Sequence, residues 1–271
     1  MSAAEEEDNH NNNDDEELTE LRRLDTCLDR DPNAYDWEEL LRHTTPIMLN
    51  RMIPNVNRFY NRVGHTLLYT AVWNRVFDVV ALLLLHGADP FQMAILNRGD
   101  WGPTNAVELC EVHLHAQPTC GMFLLRLLDT RPVETAPAES WLVNKLGRDV
   151  DAPLVHPTLT RVGDVGNQMN ALQWACREGL VHCVRWLVYG RKADPMAVEG
   201  GVDALLHLVN ARLELTERPR KRQNLLQIQA LLTEWWQRRA AVAMARHGRL
   251  GAASPLRIVG PDALSLIMRQ I

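Results

Sequence analysis

Two stretches of the chain share one pattern of apolar and polar positions. In the first, Thr66 precedes Leu67-Leu68-Tyr69-Thr70-Ala71-Val72, and Val79-Val80-Ala81-Leu82-Leu83-Leu84-Leu85 ends at His86-Gly87-Ala88-Asp89-Pro90. In the second, Asn170 precedes Ala171-Leu172-Gln173-Trp174-Ala175-Cys176, and Val184-Arg185-Trp186-Leu187-Val188-Tyr189 runs to Gly190-Arg191-Lys192-Ala193-Asp194-Pro195. Each reads as a short capped helix, a turn, a second apolar helix and a sharp stop. Thr66 and Asn170 carry side-chain oxygens that can accept from the first-turn N–H groups. Small Ala71 and Ala175 permit close helix approach. Gly87 and Gly190 are expected to close the second helices in the left-handed conformation. Asp-Pro then turns the chain away, because proline cannot continue a helix.

Spacing locates weaker copies. Thr104 lies 38 residues after Thr66, Asn170 lies 66 after Thr104, and Asp203 lies 33 after Asn170. This predicts helices over 105–110 and 121–128, and again over 204–213 and 225–235. Upstream, 37–41 and 46–52 read as an N-terminal capping pair. The 66-residue interval holds either a long loop or a degraded copy around 139–146. Pro132, Pro137, Pro153 and Pro157 favour the loop.

The plan resembles the ankyrin repeat, whose period is about 33 residues and whose signature is T-P-L-H-x-A followed by L-L-x-x-G-A-D. Thr66, Leu68, Ala71, Leu83, Leu84, Gly87, Ala88 and Asp89 fill it in the first copy. Leu172, Ala175, Gly179, Leu187, Ala193 and Asp194 fill it in the second. Leu67 and Ala171 replace the proline, Tyr69 and Gln173 replace the histidine, and Arg191-Lys192 lengthens the second closing turn. The expected fold is an all-α ankyrin-repeat solenoid of about four to five helix pairs with divergent caps. One pair cannot bury its apolar face alone, so at least three must stack. The expected domain spans 33–215, with a long insertion near 129–163, and 216–271 forms a C-terminal helical cap.

Charge changes the picture at the N-terminus. Residues 1–20 hold nine acids and no Lys or Arg, while the whole chain has 34 acids and 29 bases. Such a segment buries too little apolar area to offset its ordering entropy, so a disordered acidic tail is expected. The remainder is close to neutral and makes no general case for nucleic-acid binding. No run approaches a membrane span. The five cysteines form no paired framework, which suits a reduced, cytoplasmic protein, with the nucleus as a second location.

Candidate chemistry is sparse. Cys110, His113, His115 and Cys120 are zinc-ligand types at irregular spacing, and buried Cys with loop His is the favoured reading. Cys176, His182 and Cys183 lie inside the best copy, where Cys acts as a small apolar residue. No phosphate loop, nucleophile elbow or H-E-x-x-H pair is present, so no catalytic residue, metal or cofactor is expected and the chain is read as a non-enzyme. Arg218-Pro219-Arg220-Lys221-Arg222 is read as a solvated loop, with a nuclear-import signal as the alternative. Trp235 and Trp236 lie on a helix about 100° apart, so one can be buried while the other stays exposed.

The resemblance implies protein–protein binding through the concave face, from hairpin tips and first helices. Carried onto this sequence, that selects Arg62, His65, Trp73, Asn74, Trp101, Gln168, Arg177 and Glu178. The expected partner is another protein of unknown identity, bound by a monomeric scaffold, with no nucleic acid or membrane involved. A second reading rests on the C-terminal stretch. Pro261, Asp262, Leu264, Ile267 and Ile271 resemble the first helix of an F-box, which implies an adaptor recruiting a ubiquitin-ligase component. A SOCS box is similarly found after ankyrin repeats, but its Cys is missing here. The plainer reading of that stretch is an amphipathic helix packing on the last repeat. A zinc-binding or enzymatic protein is the third reading.

Overall fold

The computed structural model describes residues 3–54, 62–96, 105–128, 150–154 and 169–246. The expected insertion at 129–163, apart from 150–154, and the F-box-like stretch lie outside those residues. The fold is mostly helical, as expected. The chain divides into two compact units, one built from 1–149 with 153–168 and one from 150–152 with 169–271.

In the first unit, α1 runs from Ala3 to Arg30. The acidic start is therefore helical, where composition predicts a disordered tail. The anchor lies further along: Leu21, Leu24, Cys27 and Leu28 recur at helical spacing and are buried. Acidic residues in the leading turns also favour the positive end of the helix dipole. Two single-turn helices follow, α2 (Trp37–Leu40) capped by Asp36 and α3 (Pro46–Leu49) capped by Thr45.

Next come α4 (Leu67–Trp73) and α5 (Phe77–Leu85). Thr66 Oγ1 accepts from Tyr69 N at 3.2 Å, as the sequence predicts. Gly87 closes α5 at φ +88°, where a Cβ would sit 3.0 Å from Pro46 of α3. The following pair is α6 (Ala106–Ala116) and α7 (Pro118–Leu128). The cap of α6 is Asn105, whose side chain accepts from Glu108 N at 2.9 Å, one residue after the predicted Thr104.

Helix packing alternates in two rows. First helices stack α1 on α4 and α4 on α6, and second helices stack α2 on α5 and α5 on α7. Phe77 meets Phe123 edge-on in the second row, centroids 5.4 Å apart. The N-terminal pair is thus α1 with α2 and α3 sharing the second place. This corrects the expected pairing of 37–41 with 46–52: those segments are too short to be partners, and the apolar stripe of α1 supplies the missing first helix. Three short strands, β1 (Ile53–Pro54), β2 (Arg62–His65) and β3 (Ile95–Leu96), form an antiparallel sheet in the order β1-β2-β3. It joins successive hairpin tips and is a small departure from all-helical structure.

In the second unit, α8 (Ala171–Glu178) opens with a full capping box between Asn170 and Gln173. Then come α9 (Val181–Arg185) and a π-helical turn over Trp186–Gly190. The turn answers an insertion. One more residue separates Leu187 from Ala193 than Leu83 from Ala88, yet Ala193 N still reaches Leu187 O at 2.9 Å, as Ala88 N reaches Leu83 O at 3.0 Å. A wide turn, with Arg191 N on Trp186 O at 2.8 Å, absorbs the extra residue. The left-handed position therefore falls on Lys192, φ 59°, and not on Gly190 as predicted. Gly190 instead lies against the Trp186 indole, where a Cβ would collide.

The last pair is α10 (Gly201–Leu215) and α11 (Pro219–Arg246). Gly200, not Asp203, precedes α10; Asp203 sits in its first turn. Residues 219–222 of the basic run form the first turn of α11, which corrects the loop expectation, since proline is favoured at the first position of a helix. Trp235 is buried while Trp236 is exposed, as their 100° separation allows. Arg239 covers the Trp235 ring at 4.9 Å and pairs with Asp194 at 2.8 Å.

Both closing turns share a second device. Asp89 Oδ1 accepts from Phe91 N at 2.9 Å, and Asp194 Oδ1 from Met196 N at 3.0 Å. Each aspartate N–H is held by a side chain some 40 residues upstream. Asn50 Oδ1 accepts from Asp89 N at 2.6 Å and Asp151 Oδ1 from Asp194 N at 3.1 Å. Asp151 thus does for the second unit what Asn50, at the end of α3, does for the first.

Candidate partner interface

Four of the expected interface residues lie in the first unit, Arg62 and His65 on β2, Trp73 at the end of α4 and Asn74 at its C-cap. Arg62 contributes backbone to β2, opposite Leu96; its side chain lies outside the described set. His65 places Nε2 at 3.2 Å from both carboxylate oxygens of Asp25 on α1. Thr70 Oγ1 donates to the same carboxylate at 2.6 Å. Asn74 Nδ2 donates to Leu28 O at 3.3 Å and to Asp29 Oδ1 at 3.0 Å. The polar atoms of His65 and Asn74 thus fasten α1 to the two ends of the segment that carries β2 and α4, a use that no motif in the sequence announced.

Trp73 remains. It is 38% exposed at the end of a helix whose other six residues are buried. The adjoining first helix leaves Val112 45% exposed. The two helices are pinned at the same level, since His113 Nε2 lies 3.0 Å from the Val72 carbonyl. A carbonyl only accepts, so Nε2 carries the proton. Burial pushes the His113 pKa down; the bond to Val72 opposes this, and the Arg75 charge adds to it. Sequence reasoning missed Val112 because α6 belongs to a copy with no clear signature.

In the second unit Arg177 Nε meets Glu178 Oε1 at 2.9 Å, and Glu178 Oε2 meets Lys221 of α11 at 3.6 Å. All three side chains are partly exposed. Trp101 and Gln168 lie outside the described residues.

Of the four zinc-type residues, His115 has its side chain outside the described set, and Cys110 and His113 are engaged elsewhere. Cys110 Sγ donates to Ala106 O at 3.3 Å within its own helix, and His113 is committed to Val72. Burial raises the Cys120 thiol and pushes Cys176 up to about 12, which keeps both protonated. Among the described residues no group of three or more His, Cys, Asp or Glu is placed to hold a metal ion. No described helix is long and apolar enough to cross a membrane.

The rows of first and second helices, joined by hairpin tips and closed by Ala-Asp-Pro turns, define a helix-pair repeat protein. The family model of the ankyrin repeat matches residues 167–200, so the chain carries an ankyrin repeat. No curated protein matches the chain. No solved structure matches it either. Ankyrin repeats are typically non-enzymatic modules of protein–protein interaction.

Proposed function

We propose that the protein is a non-enzymatic scaffold that binds another protein on the first-helix face of its N-terminal unit, with Trp73 as anchor. The observation that carries this is the exposure of Trp73 and Val112 on adjacent first helices, beside the buried remainder of α4 and the buried Ala106, Val107, Leu109 and Cys110 of α6. Trp is among the residues most enriched at binding hot spots, and an anchor works best beside a second apolar contact. Arg177 and Glu178 form a separate charged pair that a partner contacting the second unit would meet. In the test, the full chain is used as bait, and a captured partner is then titrated against variants. Trp73→Ala should weaken binding about 30-fold or more, the loss of roughly 2 kcal/mol expected at a hot spot. Val112→Asp should do the same. Unchanged affinity in both would move the interface elsewhere.

The adaptor reading keeps one supporting observation, the F-box-like order of Pro261, Asp262, Leu264, Ile267 and Ile271. It requires co-purification with Skp1-type or elongin-type proteins that is lost when 255–271 is removed. The zinc or enzymatic reading has no supporting cluster among the described residues, and elemental analysis of the purified protein tests its zinc form.

A further inference from the structure

α11 packs on α9 and α10, and its residues Leu225, Ile228, Leu232 and Trp235 are buried. A second apolar set on the same helix faces water. Leu226 is 49% and Trp236 45% exposed. They lie in the row 222, 226, 229, 233 and 236, whose members are three or four residues apart and so share one flank. Gln229 Nε2 of that row donates to Asn210 Oδ1 of α10 at 3.1 Å. The flank therefore runs beside the α10 row of Leu206, Asn210 and Leu213, whose two leucines are only half-buried. Glu214, one turn beyond Asn210, is exposed, and so is Arg222 in the first turn of α11. Neither enters an ion pair among the described residues. The two rows make one face, apolar along its middle, acidic on the α10 side and basic at the start of α11.

That face is complementary to itself. α10 and α11 are antiparallel, joined through residues 216–218. Counting from the 210–229 bond, Leu226 is level with Leu213, Trp236 is level with Asp203, and Arg222 lies within a turn of the level of Glu214. A two-fold axis parallel to the helices keeps every residue at its height and lays α11 of one copy on α10 of the other. Leu226 then meets Leu213, Trp236 meets Leu206, and Arg222 reaches Glu214, each contact made twice. A foreign partner would need a matching order of acidic, apolar and basic groups, whereas a second copy has it by symmetry. Over the length of α10 the two helices, each about 10 Å wide, offer roughly 450 Å² per copy. About 900 Å² in all is near the floor for a specific interface, so the association is weak and depends on concentration.

We propose that this flank of α10 and α11 joins two copies of the chain in a symmetric dimer. This goes beyond the scaffold reading and does not depend on it.

The test is sedimentation velocity of the full chain from low to high micromolar concentration. The mean mass is expected to rise from that of one chain towards twice that value. Trp236→Asp should hold it at one chain throughout, and Trp73→Ala should leave the dimer intact. Arg222→Glu and Glu214→Arg should each be monomeric alone, yet dimerise when mixed in equal amounts, because each copy then supplies the charge that the other lacks. Mixing restores a contact between copies and cannot restore one within a chain, and regained assembly shows that both variants are folded. A single-chain mass at every concentration overturns the proposal. So does assembly beyond two copies, which marks a head-to-tail contact. A dimer that survives Trp236→Asp, one that is lost on Trp73→Ala, or a mixture that stays monomeric overturns it as well.

Discussion

Arg75 and Gly179 hold the same place, the turn after the first helix, and both have positive φ, 57° and 77°. Glycine adopts this conformation without strain, while a residue with a Cβ does so at a cost of about 1–2 kcal/mol. Lys192, at φ 59°, bears the same strain in the closing turn. Arg75→Gly and Lys192→Gly are therefore expected to stabilise the protein, each by about 0.5–1 kcal/mol after the entropy of a more flexible unfolded chain is deducted. Gly179→Ala should destabilise by about 1 kcal/mol or more. Space is not the cause there, since the added Cβ would lie 3.5 Å from Lys221 Cγ, an ordinary contact. Denaturant midpoints of the three variants decide the matter, and a loss on Arg75→Gly would mean that Arg75 makes contacts worth more than its strain. His113 sets a pH dependence. Its folded pKa lies below the unfolded value, so the native state binds fewer protons at mildly acidic pH. Its contribution is complete above the unfolded pKa, about 6.5, and is lost as pH falls through the folded one. The melting temperature of the native protein should thus fall more between pH 7 and pH 5 than that of His113→Gln. Parallel curves would mean that the Val72 bond tolerates a charged imidazole.

At the scale of elements, the bond network around Asp25 is the clearest tie between α1 and the repeat beside it. Asp25→Ala removes the acceptor of Thr70 and the neighbour of His65 at once. Bonds to a charged acceptor contribute about 1.5–3 kcal/mol, so a loss near the lower figure is expected for this partly exposed site. Hydrogen exchange should quicken over 21–30 and leave α8 untouched; equal acceleration in both would show that Asp25 has no local role. The sequence revealed the helix pairs at 66–90 and 170–195 because capping residues, small alanines and closing turns each have a distinctive residue type. It hid α1, since Leu21, Leu24 and Leu28 follow an acidic run and match no repeat signature. It showed the inserted residue near Arg191-Lys192 but not its consequence, because whether a helix widens or a loop lengthens depends on the packing of Leu187 and Ala193. Of the proposed interface, Trp73 was legible by its place at the end of a first helix. The ties of His65 and Asn74 to α1 were not, since they join residues some 40 positions apart.

For the whole molecule the decisive asymmetry is electrical. The formal charge of −5 is set by the first 20 residues, and the remainder holds 25 acids against 29 bases. Among the described side chains of α1, the earliest tie to the rest of its unit is Glu17, paired with Arg51 at 3.2 Å. Residues 1–14 carry five acids, at positions 5, 6, 7, 8 and 14. A helical segment that short has marginal stability in water without packing. Deleting residues 1–14 should therefore change the unfolding free energy by no more than about 0.5 kcal/mol, the scale of surface changes away from structural contacts. The same deletion brings the formal charge to about zero, so retention on an anion exchanger at pH 7 should largely disappear. A clear loss of stability would show that the first turns pack on the body. If stability holds, the truncated chain separates two effects in any partner assay. An association rate that falls on truncation and falls with salt in the intact chain identifies the acidic segment as a steering element for a basic partner. An unchanged rate, with Trp73 still required, leaves recognition to the first-helix face alone.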